Sequence, residues 1–213
     1  MKQIHIYFHL ILSVFPLLGC QRFTKVTSQF DPKSYITNFE LLQKNISNDT
    51  RVRITSPKAI LDQENNDIEI VETSIEITNK RGQDFQVKSG YSTLYNLSNL
   101  IKVYNNVTIS FMDNKDYYIS TNSFDWDLNN SIIDINSPLT MNLDNTQIKA
   151  TNGFYYIDSK VFKIDNSVFN RNFYTSDGKK KYHVQIKSDL TKWLKNENKL
   201  VFTSNDKQVE TTI

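Results

Sequence analysis

Four stretches of this chain repeat one another at a spacing near 30 residues, and a strand-built repeat of that length leaves few folds open. Leu100 to Ile109 aligns with Ile68 to Ile77 about 32 residues earlier. Ile132 to Met141 follows about 32 residues later, and Val161 to Val168 about 29 beyond that. A degraded fifth copy runs from Leu200 through Val209. Upstream of the later cores lie aromatic-rich segments, Ser89 to Tyr95, Thr121 to Trp126 and Thr151 to Tyr156. Each unit therefore reads as two strands and a tight turn. A hairpin-sized unit cannot bury its own apolar face, so such units must stack. The spacing predicts an all-β fold, elongated and built of stacked antiparallel strands.

Within the repeat cores one side-chain parity is apolar. Val71, Ile75 and Ile77 share it in the first core, Ile101, Val103, Val107 and Ile109 in the second. Ile133, Ile135, Leu139 and Met141 carry it in the third, and Phe162, Ile164 and Val168 in the fourth. Successive side chains of a strand point to opposite faces. These residues are therefore predicted to form one continuous inner surface, either a closed core or a trough open to a ligand. Glu72, Glu76, Lys102, Asp134, Asn136 and Lys163 occupy the other parity and are predicted to face water. A stack of strands also has two ends, whose unpaired backbone groups invite pairing with another chain.

Composition removes several functions. The only cysteine is Cys20, and of three histidines two, His5 and His9, precede it. The remaining chain holds only His183, which excludes histidine-cluster metal sites and Cys/His nucleophilic catalysis. The carboxylates lie in turn-like sequences such as Asp113-Asn114, Asp144-Asn145 and Asp177-Gly178, where they serve local backbone groups. No Gly-rich phosphate loop or nucleophile elbow is present. Twenty-five Lys+Arg against 23 Asp+Glu make no electrostatic case for nucleic acid. No catalytic residue, metal or cofactor is predicted, and the chain is not read as an enzyme.

The N-terminus carries an export signal. Lys2 precedes an apolar run from Ile4 to Leu18, and Leu17-Leu18-Gly19-Cys20 has the form of a lipobox. Cleavage before an acylated Cys20 would tether the remainder to a membrane surface. His5, His9 and Pro16 interrupt the run and argue against a bilayer span, which needs roughly 20 apolar residues. The organisation predicted is a signal peptide over residues 1–19, a tether over 20–33 and one β domain over 34–213. Residues 34–47 could be helical or hold a first strand near Phe39 to Leu42, and Leu190 to Leu194 is too short to assign.

Phe39-Glu40-Leu41-Leu42-Gln43, the segment Arg51 to Ala59 (RVRITSPKA), and the core repeats from Ile68 to Val168 together resemble the LptC family of the lipopolysaccharide transport bridge. That family shares its repeat with LptA and OstA-like proteins. The resemblance implies an open, twisted β-jellyroll whose apolar interior accepts lipopolysaccharide acyl chains. It implies partners as well: the permease subunits of an inner-membrane ABC transporter, and a periplasmic LptA/OstA-like jellyroll joined by edge-strand pairing. The implied location is the periplasm, with the inner membrane as the anchoring surface. This chain departs from well-known members in using a lipid anchor where they use a transmembrane helix, and Gln21 is not the Asp that retains some lipoproteins at the inner membrane. The alternative is a lipoprotein binding module with a sealed core, whose outer face, with Tyr117, Tyr118 and Tyr155, holds a polysaccharide or protein.

Overall fold

The computed structural model describes residues 33–45, 50–79, 82–112, 117–174, 178, 181–205 and 207–212. The leader, Cys20 and nearly all of the tether lie outside the described residues. Those described are almost all strand, in six successive hairpins. They are β1 (Lys33–Asn45) with β2 (Thr50–Asp62), β3 (Asp67–Asn79) with β4 (Gly82–Tyr95), and β5 (Leu100–Phe111) with β6 (Tyr118–Asp127). Next come β7 (Ile132–Ile135) and β8 (Leu139–Leu143), returning as β9 (Thr146–Ala150) and β10 (Asn152–Tyr156). β11 (Val161–Tyr174) pairs with β12 (Lys181–Leu194), and β13 (Lys199–Ser204) with β14 (Lys207–Thr212). The repeat thus begins one unit earlier than the sequence alone indicates, because residues 33–62 form a hairpin of the same kind. Leu190 to Leu194 is the end of a strand.

Among the described residues all pairings are antiparallel and join the strands into one 14-stranded sheet, running from β1 to β14 without closing on itself. The sheet is creased along its midline. On β3, β5 and β11 the crease falls at Glu72, Asn105-Asn106 and Asn166, and on β1 at Asn38, all with positive φ. A left-handed residue takes the backbone out of the pleat, and pairing skips there: Val71 faces Tyr91 and Thr73 faces Ser89, with Glu72 and Gly90 between. Asn tolerates this conformation better than most residues. At Gly90 a Cβ would come within 2.8 Å of the Asn105 amide nitrogen, so a larger residue there would have to push that side chain aside.

Folding along the crease turns the two halves of the sheet toward each other, and their inner faces form one apolar core. Phe85 in one half meets Tyr155 in the other at 5.8 Å, Phe111 meets Trp193 at 5.1 Å, and Phe169 meets Phe202 at 5.1 Å. The result is a jellyroll of stacked hairpins. Buried hydroxyls follow the crease and satisfy one another where the ladder breaks. Thr73 Oγ1 lies 2.7 Å from Ser92 Oγ, Thr121 Oγ1 lies 2.7 Å from Ser137 Oγ, and Ser167, Ser188 and Thr191 form a triangle of 2.7 to 2.9 Å contacts.

The turns on one side of the sheet share a further device. Each ends in a left-handed residue, Asn66, Asn99, Ser131, Lys160 and Asn198 in succession. Asp62 and Asp127 Oδ1 accept backbone N–H groups from inside their turns, at 2.9 to 3.4 Å and 2.9 to 3.0 Å respectively.

The crease is testable at exposed Asn166, whose φ is 48°. A β-branched side chain is strained there, so Asn166→Val is expected to cost about 1–2 kcal/mol. Asn166→Gly should cost less than half as much. Thermal unfolding of the two variants checks the ranking, and equal losses would remove the crease as the reason for this Asn.

Candidate functional site

The apolar stripe read from the repeats lies mostly on the inner faces. Ile75 and Ile77, Ile101, Val103, Val107 and Ile109, Ile133, Ile135, Leu139 and Met141, and Phe162 and Ile164 are each at most 3% exposed. Two residues of the stripe go elsewhere. Val71 and Val168 are half-buried, while their neighbours Ile70 and Phe169 are buried at 0% and 2%. The crease is the cause: Glu72 and Asn166 each add a left-handed step, so parity reverses across them. On β5 two such residues occur in succession, Asn105 and Asn106, and parity is kept from Val103 to Val107.

The opposite parity faces outward as read, with Glu72, Lys102 and Asn136 exposed and Glu76, Asp134 and Lys163 half-buried. Asp134 stands across from Asp125 in the β6–β7 register, and partial burial followed by that neighbouring charge raises its pKa. The tyrosines of the outer-face reading divide. Tyr118 is exposed, Tyr117 is half-buried, and Tyr155 is only 2% exposed because it takes the inner parity of β10.

Burial of this order is worth roughly 1.5–3 kcal/mol for each large apolar side chain. It also takes these side chains out of contact with solvent. Two surface hollows among the described residues lie elsewhere: one of about 440 Å³ at the crease of β1 to β3, beside Asn38 and Glu72, and one of about 350 Å³ beside Asn142 and Asn172.

The creased sheet has a hinge at its midline and a mouth where the two rows of hairpin turns approach. Sequence reasoning missed what holds that mouth. Asp84, near the start of β4, receives hydrogen bonds from Lys160 Nζ at 3.0 Å and Lys195 Nζ at 2.9 Å. The lysines come from turns on the opposite margin, 76 and 111 residues away in sequence. Asp84 and Lys195 side chains are only 5% and 4% exposed, and Lys160 is 21%. Lys195 Nζ also stands 4.9 Å from the centroid of Phe111, and Tyr117 meets Trp193 at 6.0 Å. Burial acts to raise the Asp84 pKa, but the hydrogen bonds and charges of Lys195 and Lys160 outweigh it and hold it below the ordinary value. The sequence signal for this clasp is slight, a carboxylate beside Phe85 near the start of β4.

A jellyroll of stacked hairpins, apolar inside and clasped at its mouth, defines the class of protein. The chain belongs to the LptC family: the family model described as lipopolysaccharide-assembly, LptC-related, matches residues 16–172. No curated protein sequence matches it. The match ends within β11 and leaves out the hairpin of β13 and β14, which the structure adds to the stack. Among the described residues no helix is long and apolar enough to cross a membrane.

Asp84→Ala removes the carboxylate shared by two lysines, one of them deeply buried, and is expected to destabilise the β body by about 3 kcal/mol. Because the folded pKa is depressed, the carboxylate's contribution is complete above the unfolded value of about 3.8 and is lost as pH falls through the lower folded value. Denaturant midpoints measured between pH 2 and pH 7 should therefore fall with acid more steeply in the native protein than in Asp84→Ala. Parallel pH curves would remove the clasp as a stabilising element.

Proposed function

We propose that this protein is a membrane-anchored periplasmic component of lipopolysaccharide export. It takes acyl chains of lipopolysaccharide into its apolar interior, receives them from the permease subunits of an inner-membrane ABC transporter, and passes them to a periplasmic LptA/OstA-like jellyroll. The observation that carries this reading is the apolar layer continued from hairpin to hairpin in a member of the LptC family. A methylene transferred from water contributes roughly 0.8 kcal/mol, so an interior lined by Ile133, Ile135 and Phe162 holds an acyl chain without any specific pocket. Movement along the stack then exchanges one apolar lining for the next, at little net cost. No step is catalytic, and the work of extraction is done by ATP hydrolysed in the transporter.

Cys20, acylated after removal of residues 1–19, is the anchor, and the chain that follows it lifts the β body from the membrane. Among the described residues β1 and β14 stand at the two edges of the sheet, and their outer edges are where neighbouring jellyrolls would pair. Such pairing would extend the apolar layer from one molecule into the next.

Photocrosslinking in cells tests the conduit, with the probe at inward Ile133 and, as control, at outward Asp134. This choice avoids placing a charge at Ile133, which is 0% exposed and would not tolerate one. A lipopolysaccharide adduct at position 133 and none at 134 is the expected result. Protein-only adducts, or equal adducts at both positions, would favour the sealed-core binding module. A third probe at exposed Val209 on β14 should trap a partner jellyroll, while one at Lys102 in mid-sheet should not.

A further inference from the structure

The chain has two tryptophans, Trp126 and Trp193, and both lie on the inner face of the same half of the sheet. Trp126 is 3% exposed and Trp193 is 0%, and the Nε1 of each is shut away from water with no hydrogen-bond partner. A buried indole N–H without an acceptor costs free energy that phenylalanine, with similar apolar bulk, would not. Trp193 meets Phe111 and Tyr117 at steep interplanar angles of 87° and 67°, and aromatic faces are weak acceptors.

Their placement is regular. One cross-strand row runs from Trp126 through Ile133, Tyr155 and Phe162 to Trp193. Four strand steps separate the indoles, ~19 Å along the stack. Trp126 stands one residue inside the end of β6, and Trp193 one residue inside the end of β12 and two before the clasp residue Lys195. Both indoles therefore sit near the strand ends that border the mouth.

We propose that the indole N–H groups of Trp126 and Trp193 are two successive docking stations for the linkage carbonyls of acyl chains held in the interior. The inference rests on the acyl-chain reading above and adds what that reading lacks, a polar contact that sets depth. Each indole N–H donates to a carbonyl oxygen that would otherwise be stripped of water, and so gains an acceptor. Two stations ~19 Å apart give a lipid advancing along the stack a place to pause and then a second. A purely hydrocarbon surface offers no such positions.

The test compares two soluble probes of equal chain length, an ester-linked palmitoyl lysophosphatidylcholine and its ether-linked counterpart, which has no carbonyl. Binding of each below its critical micelle concentration is measured calorimetrically with the intact native protein and with the Trp126→Phe/Trp193→Phe double variant, whose fold is checked by thermal unfolding. The expected result is at least about fivefold tighter binding of the ester by the native protein, with the preference lost in the double variant. In the single variants the emission of the remaining tryptophan should move to longer wavelength with the ester and not with the ether. Equal affinities in the native protein, or an ester preference kept by the double variant, would overturn the stations while leaving acyl binding in place. Binding of neither probe would overturn both.

Discussion

The crease is the constraint on which the rest of this structure depends. A flat sheet with one apolar face must find another surface to cover it; this one covers itself. That requires each strand to change direction at its middle without losing its neighbours. The chain achieves it with residues that leave the pleat, Asn38, Glu72, Asn105-Asn106 and Asn166, and with hydroxyls that replace the missing ladder contacts. Once the sheet is folded, the inner faces have only each other to pack against, and the core grows one hairpin at a time. The same geometry produces a hinge on one side and a mouth on the other.

The mouth places two kinds of chemistry within a few residues of each other. Behind it the lining is aromatic and aliphatic, with Phe111, Tyr155 and Trp193 in edge-on contact. Across it lie Asp84 and two lysines, largely out of water, held by hydrogen bonds and mutual charge. A buried ion pair is a poor way to gain stability, because desolvation consumes much of the attraction. It is a good way to hold two margins in one register while leaving them separable, since water can reclaim all three charges if the margins part. An apolar contact of the same area would resist parting more and discriminate less.

The fold was largely legible in the chain because period and alternation are local properties. Stacking, the inward placement of Ile101, Val103, Ile133 and Ile135, and the outward placement of Lys102 and Asp134 follow from alternation alone. The first hairpin was hidden because residues 33–62 carry its alternation less cleanly than the later copies do. Val71 and Val168 were misplaced for a different reason. Their parity is reversed by a single left-handed residue, and an Asn or Glu amid β-formers reads as an ordinary outward polar position. Asn105-Asn106 and Asn166, at the middle of otherwise apolar cores, were the available signal.

What the sequence determined by itself is the repeating hairpin, the all-β class and the existence of an apolar face, since each depends on neighbours a few residues apart. The tertiary structure decided which members of that face are enclosed and that Asp84 meets Lys160 and Lys195 across it. It also decided that two indoles from β6 and β12 stand in one row with their donors unmet. The reason is physical: creasing brings together residues 76 and 111 positions apart, and no local pattern encodes a contact that exists only after the sheet has closed on itself.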